Sequence, residues 1–168
     1  MTQRPTLRAS TRLLAAALVI TPLLAACAGG SGVKKDTRYV ARDVNTLYRA
    51  AQDRLDRNQY GLAAALFDEV ERQHPYSPWA RRAQLMSSFS YYMDREYAPA
   101  IEASQRFLSI HPGNKDAPYA YYLIALCYYE QIADVDRDQK ITQEALDALT
   151  EVQRRYPQTQ YASDARLK

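Results

Sequence analysis

The sequence is poor in the residues that build disulfide frameworks, metal sites and tight turns. Its 168 residues include 2 Cys, 2 His and 5 Gly. Two cysteines cannot form a disulfide framework, and so few glycines suit a helical protein. The two histidines, His74 and His111, each stand directly before a proline. We expect both to be turn residues, too far apart to share a metal ion.

Catalytic spacings are also absent. The sequence shows no Ser/His/Asp or Cys/His arrangement, no phosphate-binding loop and no dinucleotide-binding fingerprint, so we predict a protein that is not an enzyme and has no catalytic residues. Asp134, Asp136 and Asp138 resemble the start of a calcium-binding EF-hand loop, but Gln139 replaces its glycine and Ala145 its closing glutamate. Calcium needs six to eight oxygen ligands, so we expect a solvated acidic loop, with no metal and no cofactor.

Acidic residues do not occur before Asp36, and this makes the net charge of +3 misleading. Arg4, Arg8 and Arg12 account for all of the excess, because removing these 3 of the 22 basic residues leaves 19, equal to the 19 acidic ones. A balanced charge gives no support to a general nucleic-acid or anionic-lipid surface. We therefore expect no nucleic-acid partner.

The apolar run from Leu13 to Leu24 is too short to cross a bilayer, which takes roughly 20 residues. With basic residues before it, the run is typical of a signal peptide, predicted to span residues 1–26. The peptide ends in Leu24-Ala25-Ala26-Cys27, which resembles a bacterial lipobox. In a lipobox the small residues admit the peptidase and the cysteine thiol is acylated.

Cys27 is therefore the predicted lipidation site, carrying a covalent N-acyl group and an S-diacylglycerol. The alternative is ordinary signal-peptide cleavage beside an incidental cysteine. Residues 27–43 would form a lipidated flexible tether, because the glycines and serine after Cys27 leave the chain without regular structure. Ala28 stands where an aspartate would favour retention at the inner membrane, so resemblance to lipoprotein sorting favours the outer membrane.

One pattern recurs three times in the rest of the chain. The first copy is Tyr60, Ala63, Val70, His74-Pro75, Ala80 and Ala83, and the second has equivalent residues 37 positions later, at Tyr97, Ala100, Phe107, His111-Pro112, Ala117 and Ala120. The third copy, around Tyr156-Pro157, is displaced by a further 45 positions, so eight residues have been inserted before Ala145. A period in the thirties with small residues and a closing proline predicts stacked helical hairpins.

We predict an all-α fold, a right-handed α-solenoid of about three tetratricopeptide-like helical hairpins and the start of a fourth. The domain would span residues 44–168, with repeats at about 44–78, 81–115 and 118–160. Small side chains let helix backbones approach closely. They are expected where the two helices of a hairpin cross, at Ala51, Ser88 and Ala125 on one side and Ala63, Ala100 and Ala145 on the other. Cys127 is predicted to be a buried small apolar residue.

Tyrosine is unusually frequent, with 14 copies against 3 Phe and 1 Trp. We expect some tyrosines in the core, Tyr91 and Tyr128 first. On the first helix of each hairpin, positions i, i+4 and i+7 share one face, and the 37-residue shift carries that face to the next repeat. The predicted concave groove contains Tyr48, Gln52, Phe89, Tyr92, Tyr119, Tyr122 and Tyr129. These residues either pack the inner curve or form an aromatic trough for an extended peptide.

Several motifs together resemble one family of bacterial lipoproteins. They are the lipobox with its tether, Asn45-Thr46-Leu47-Tyr48, the stretch His74-Pro75-Tyr76-Ser77-Pro78-Trp79, the pair Tyr91-Tyr92, the helix from Pro118 to Leu126 and the acidic insertion at 134–138. The combination resembles the BamD family of the outer-membrane β-barrel assembly machinery. Members have five repeats in a longer chain, so the resemblance covers their N-terminal portion.

The resemblance implies a lipid-anchored protein on the periplasmic face of the outer membrane of a Gram-negative bacterium. It also implies three kinds of partner, namely the POTRA domains of the barrel assembly protein, sister assembly lipoproteins and the C-terminal signals of nascent outer-membrane proteins. In the family, the main POTRA contact belongs to the C-terminal repeats. The aromatic groove would then bind substrate.

Two other readings of the sequence stay open. Another periplasmic repeat adaptor, such as the Tol–Pal-associated cell-division coordinator, would have a coiled coil before its repeats and no lipobox. An enzyme or a glycan-binding module would need paired carboxylates along the groove, where this sequence has aromatic residues and Gln52.

Overall fold

The computed structural model describes residues 42–132 and 139–168. Cys27, the tether and the acidic insertion lie outside the described residues. Within them the chain forms seven α-helices and no strand. The helices are α1 (Val44–Asp56), α2 (Tyr60–Gln73), α3 (Pro78–Met93), α4 (Tyr97–Ile110), α5 (Ala117–Glu130), α6 (Gln139–Arg155) and α7 (Gln160–Ala165). The predicted all-α fold of helical hairpins is confirmed.

Side-chain caps fix where the helices begin. Asp43 caps α1, because its carboxylate accepts a hydrogen bond from the Thr46 amide at 3.0 Å. The Ser77 hydroxyl accepts the Ala80 amide at 3.1 Å, and Pro78 occupies the first turn of α3, where a missing N–H costs nothing.

Proline fixes where the second helix of a hairpin ends. Helix α2 stops at His74 and α4 at His111, and each histidine has an extended φ, −135° and −129°. The residue before a proline is disfavoured in the helical conformation, so the chain must turn there. The prediction that both histidines are turn residues is confirmed.

The first helices of successive hairpins contact one another, α1 with α3, α3 with α5 and α5 with α7. Every helix also packs against its neighbours in sequence. This is the arrangement of a repeat solenoid, in which each hairpin buries its apolar face against the next. The six small residues predicted at the crossings are all 0–1% exposed, and their burial confirms that prediction.

Two helices begin earlier than the sequence pattern predicts. The pattern places an inserted loop at 134–140, a helix from Gln143 to Arg155 and a last helix from Ala162. Helix α6 starts at Gln139, four residues before the expected Gln143, and its first turns carry an ion pair between Lys140 and Glu144 at 3.8 Å. Charged pairs four residues apart favour the helix, so part of the predicted insertion is helical. Helix α7 starts at Gln160 rather than Ala162, because Thr159 caps it.

The outer seam between the first two hairpins is polar. Asp68 on α2 accepts hydrogen bonds from the hydroxyls of Ser87, at 2.5 Å, and Tyr91, at 2.7 Å, both on α3. Nearby, the Arg106 guanidinium on α4 donates to both carboxylate oxygens of Glu71, each at 3.2 Å. Bidentate pairing of this kind adds geometric specificity to the attraction between the charges, so it helps to fix the position of α4 relative to α2.

The corresponding seam between the second and third hairpins is largely apolar. A shift of 37 positions replaces Asp68 by Gln105, Glu71 by Leu108 and Ser87 by Ile124. Instead of a hydrogen-bonded joint, an open cleft of about 340 Å³ lies there, lined by Leu108, Tyr121 and Ile124 among others. The seam between the first and second hairpins is therefore polar, whereas the equivalent seam between the second and third is largely apolar.

Candidate peptide-binding groove

Tyr48 belongs to the core of the first hairpin. Its ring centroid lies 5.4 Å from that of Phe67 and 4.6 Å from that of Trp79, and the residue is 9% exposed. Burial raises the pKa of its hydroxyl, and the nearby Arg82 guanidinium opposes that shift. Of the two roles that the sequence left open for this residue, packing and peptide binding, the contacts of Tyr48 with Phe67 and Trp79 favour packing.

Gln52, the second predicted groove residue of α1, is half-buried. Its side-chain amide donates to the Asp56 carboxylate at 3.2 Å, one turn further along the same helix. The pair occupies the helix surface and makes no ring contact, so the aromatic part of the predicted groove begins on α3.

Phe89 and Tyr92 on α3 are both half-buried. The Tyr92 ring lies 6.2 Å from the Tyr97 ring and packs against a buried cluster that includes Ile101 and Cys127. Burial is the main cause that raises the pKa of the Tyr92 hydroxyl. Tyr92 therefore contributes both to packing and to the partly exposed surface.

The tyrosines of α5 meet α7. The Tyr161 ring on α7 lies 5.6 Å from the Tyr119 ring and 5.4 Å from the Tyr122 ring. The Tyr122 hydroxyl donates a hydrogen bond to the Asp164 carboxylate. Burial raises the pKa of the Tyr119 hydroxyl, with smaller contributions from the hydroxyls of Tyr161 and Tyr92. The rings of Tyr119, Tyr122 and Tyr161 form an aromatic band where α5 meets α7.

Tyr129 lies further along α5, half-buried against the cluster formed by Ala125, Leu149 and Ala165. The Lys168 ammonium lies 4.8 Å from its ring centroid, within range of a cation–π contact.

Tyr161 is the member of the band that sequence reasoning missed. The 45-residue shift aligns it with Asp116 in the second copy, which is not a groove position. The repeat register therefore gives no signal for it. Its ring reaches the band because α7 packs against α5.

Basic side chains form a cationic edge at the N-terminal end of α3. Arg81, Arg82 and Lys115, with Trp79 and the carboxylate of Asp116, surround a cavity of about 280 Å³. The Arg82 guanidinium lies 5.8 Å from the Trp79 ring centroid. Lys115 comes from the next repeat, so the cationic edge is built from two hairpins.

A second, larger cavity of about 590 Å³ adjoins the cationic edge. The two cavities share Pro78 and Arg81 as lining residues. The larger one is also lined by Tyr76, Gln84 and Ile110. It combines apolar surface with a buried amide, and it was not expected from the sequence.

Nucleophilic and metal-binding groups contribute little to this surface. Across residues 42–132 and 139–168, no three His, Cys, Asp or Glu side chains come together as metal ligands. Cys127 is fully buried, as the sequence predicted, and burial raises the pKa of its thiol to about 12. A thiol that stays protonated at neutral pH is a poor nucleophile.

None of the helices in the described part of the chain is long and apolar enough to cross a membrane.

The sequence profile of a family described as "YfiO: Outer membrane lipoprotein" matches residues 40–168, which include every described helix. The chain belongs to this family. The match covers the aromatic band and the cationic edge together, so both surfaces are parts of a family domain.

Curated relatives share one name, "Outer membrane protein assembly factor BamD". The protein of Caulobacter vibrioides is 52% identical over 91% of this chain. Those of Rickettsia prowazekii and Neisseria meningitidis serogroup A are 38% and 35% identical over 94% and 84% of the chain. The matched regions cover 50%, 61% and 57% of these relatives, so the chain spans about half to three-fifths of their length.

Proposed function

We propose that this chain acts in the assembly of outer-membrane β-barrel proteins, as a lipid-anchored periplasmic part of the assembly complex. The observation that carries the proposal is the 52% identity, over 91% of the chain, to a relative named as an outer membrane protein assembly factor. The helical-repeat fold is compatible with the role, because stacked hairpins present extended surfaces to other proteins. In this proposal the chain binds proteins and catalyses no reaction.

The proposed partners are the POTRA domains of the barrel assembly protein, sister assembly lipoproteins and nascent outer-membrane proteins. The aromatic band is the surface proposed for the nascent chains. Barrel strands alternate apolar and polar side chains. Half-buried tyrosines offer their rings to the apolar side chains and their hydroxyls to the peptide groups of such a strand. The entropy cost of ordering a flexible peptide offsets part of the free energy gained from these contacts. The dissociation constant should therefore be about micromolar or weaker.

A photo-crosslinking amino acid placed at position 89 tests the groove. We expect it to capture a synthetic peptide with the sequence of a barrel C-terminus, because Phe89 is a partly exposed member of the predicted groove. The matched control carries the crosslinker at position 62, since Leu62 is an exposed apolar residue on α2, outside the groove. Capture at 62 and not at 89 would place the peptide on the outer helices and reject the groove.

A second experiment tests the proposed anchor. Each buried CH₂ of an acyl chain contributes about 0.8 kcal/mol, so several chains hold a protein at a membrane in effect permanently. Cys27→Ser should therefore release the protein into the soluble fraction and abolish metabolic labelling with palmitate. Ser31→Ala, four residues away in the tether, should change neither result. A Cys27→Ser protein that still labels and pellets with membranes would show that the anchor is elsewhere.

A further inference from the structure

The first described residue, Arg42, is fixed to the edge of the domain at which successive hairpins join. Its backbone N–H donates a hydrogen bond to the Gln73 side-chain oxygen at 3.0 Å, and its carbonyl oxygen accepts one from His74 Nε2, 2.6 Å away. His74 opens the turn between the first two hairpins. We call the turns 74–77 and 111–116, which connect successive hairpins, the loop edge. The segment before Arg42 therefore joins the domain at the loop edge.

This attachment limits how far the loop edge can lie from a lipid anchor at Cys27. The 14 residues 28–41 separate Cys27 from Arg42. Whatever its conformation, a chain advances at most about 3.6 Å per residue, so the loop edge lies within about 55 Å of the anchor. Tethering raises the local concentration of the loop edge at the bilayer, so contacts too weak to hold a free protein there can hold an anchored one.

Positive charge at the loop edge exceeds the negative charge beside it. Lys115 lies in the second turn and Arg81 in the first turn of α3, and both side chains are exposed. With Arg82 they line the cavity of about 280 Å³, to which Asp116 contributes the one carboxylate among its described lining residues. Among the residues that the structure describes, no carboxylate forms an ion pair with Arg81 or Lys115. The loop edge therefore attracts an anionic surface.

Large side chains with apolar surface are exposed at the same edge. Tyr76, in the first turn, is 99% exposed, and Ile110, directly before the second turn, is 55% exposed. Both line the cavity that also contains Arg81, so they lie beside the positive charge. Glu71 lines this cavity too, but the Arg106 guanidinium pairs with it. Tyrosine beside basic residues is typical of a membrane–water interface, where the ring lies among the headgroups and the hydroxyl stays hydrated.

The opposite edge of the solenoid, formed by the turns within the first two hairpins, has charge of the other sign. Its exposed charged residues are three carboxylates against two guanidinium groups, namely Asp56, Asp94 and Glu96 against Arg57 and Arg95. An anionic bilayer would repel this edge weakly and attract the loop edge. The difference between the two edges would therefore orient an anchored domain.

We infer that the loop edge docks on the anionic phospholipid surface of the membrane that holds the anchor, with Arg81 and Lys115 beside lipid phosphates and Tyr76 and Ile110 among the headgroups. The inference rests on the proposed lipid anchor at Cys27 and adds an orientation to it. The loop edge would face the bilayer, and the turns within hairpins would face away from it. A protein partner at the same edge would bind whether or not the bilayer is charged.

The test uses the intact acylated protein, reconstituted in vesicles of phosphatidylethanolamine and phosphatidylglycerol in which some headgroups carry a nitroxide quencher. A fluorophore is attached at Gly113→Cys, in the second turn, because a Cβ added there meets no other part of the chain within 4 Å. Cys127 stays unlabelled, since it is buried and burial raises the pKa of its thiol.

We expect strong quenching of the fluorophore at position 113 in these anionic vesicles. The matched control carries the same fluorophore at Leu62→Cys, because Leu62 is exposed and lies in the first turn of α2, at the opposite edge. Quenching at position 62 should be weak. Vesicles of phosphatidylcholine alone, with the same quencher, should give weak quenching at both positions.

Arg81→Gln together with Lys115→Gln should shift the equilibrium between docked and undocked protein by about thirtyfold towards the undocked state, because each basic residue near an anionic surface strengthens binding. Arg57→Gln together with Arg95→Gln removes the same charge from the opposite edge. That edge is beyond the screening length of roughly 8 Å at physiological ionic strength, so the shift should be less than about threefold. Equal shifts in both double variants would make the effect one of net charge and would overturn the inference.

The apolar contribution is tested with Tyr76→Ser and its control Leu62→Ser, both with the fluorophore at position 113, because both parent side chains are exposed. Tyr76→Ser should shift the equilibrium by about threefold or more towards the undocked state, since even partial burial of the ring removes apolar surface from water. Leu62→Ser should leave the equilibrium unchanged. No effect of Tyr76→Ser would show that the ring stays in water and would overturn its contact with the headgroups.

Flotation of the protein with the vesicles reports the anchor independently of the fluorescence. Protein that floats but is not quenched at position 113 in anionic vesicles, or is quenched equally in phosphatidylcholine, would overturn the docking while the anchor stands. Protein that floats with neither kind of vesicle would count against the proposed anchor itself, and the docking that depends on the anchor would fall with it.

Discussion

Asn58 and Arg95 lie 37 positions apart, at the same place in the turns of the first two hairpins. Both adopt the left-handed backbone conformation, with φ of 58° and 63°. Asparagine tolerates this conformation, whereas a long side chain with a Cβ is strained in it. Asn58 also accepts a hydrogen bond from the Tyr60 hydroxyl at 2.7 Å. The first hairpin turn therefore has a residue that suits its left-handed backbone conformation better than the residue in the second turn does.

Arg95→Asn should raise the free energy of unfolding by about 0.5–1 kcal/mol, because it relieves that strain. The reciprocal change, Asn58→Arg, should lower it by at least as much, because it adds the strain and removes the hydrogen bond. Chemical denaturation followed by circular dichroism measures both. A destabilised Arg95→Asn protein would show that the Arg95 side chain makes a favourable contact that outweighs its backbone conformation.

Cys127 gives the molecule a dependence on alkaline pH. The pKa of its thiol rises from 9.0 to about 12 in the folded protein because the residue is buried. Above about pH 9 the unfolded chain has lost this proton while the folded protein keeps it, so stability falls as pH rises towards 12. We expect Cys127→Ala to show a shallower decline between about pH 9 and 10. Tyrosines begin to ionise in the same range, but they do so in the parent and the variant alike. The measurement is the free energy of unfolding at several pH values.

Cys127→Ala will also lower stability at neutral pH, so the informative quantity is the slope and not the absolute value. The parent and the variant should converge as pH rises. Parallel curves from pH 7 to 10 would mean that the thiol titrates equally in both states and that its burial does not resist ionisation.

At the scale of helices, the two outer seams make a natural comparison. Asp68→Ala removes the acceptor of the Ser87 and Tyr91 hydroxyls. Leaving buried donors unpaired costs about 1–3 kcal/mol, so the free energy of unfolding should fall by that amount. Gln105→Ala, at the equivalent position of the apolar seam, should change it by less than about 0.5 kcal/mol. Thermal and urea denaturation compare the two, and equal losses would show that the polar seam is not a special joint.

The sequence could predict the helices well because their signals are local. His-Pro breaks, capping residues and the spacing of small residues each act within one or two turns, and the helix ends before His74 and His111 follow from them. The start of α6 was harder to predict from the sequence, because an eight-residue insertion interrupts the repeat register there. A charged pair, Lys140 with Glu144, favours helix in a stretch that the pattern assigned to a loop.

The candidate site was harder to predict because periodicity gives the face of a residue but not its neighbours. Tyr48 was expected in the groove, yet it is 9% exposed and its ring packs against those of Phe67 and Trp79. Tyr161 is off register and enters the aromatic band through helix packing. Lys115 joins Arg81 because separate repeats meet at one edge. Such contacts depend on the stacking of hairpins, which no local pattern encodes.

At the scale of the whole molecule, the aromatic band and the cationic edge differ in character. Outside residues 1–26 the charges balance, 19 positive against 19 negative, so the cationic edge is a local feature and not an overall excess. The chain thus carries a local cationic edge and an aromatic band within one family domain.

The central claim, that the chain works within the barrel assembly complex, is tested most directly by affinity purification from detergent-solubilised outer membranes. The full-length gene product, tagged at its C-terminus, should co-purify with the barrel assembly protein and its sister lipoproteins in stoichiometric amounts. An unrelated outer-membrane lipoprotein with the same tag is the control. Recovery of the tagged protein at equal yield without the barrel assembly protein would contradict the account.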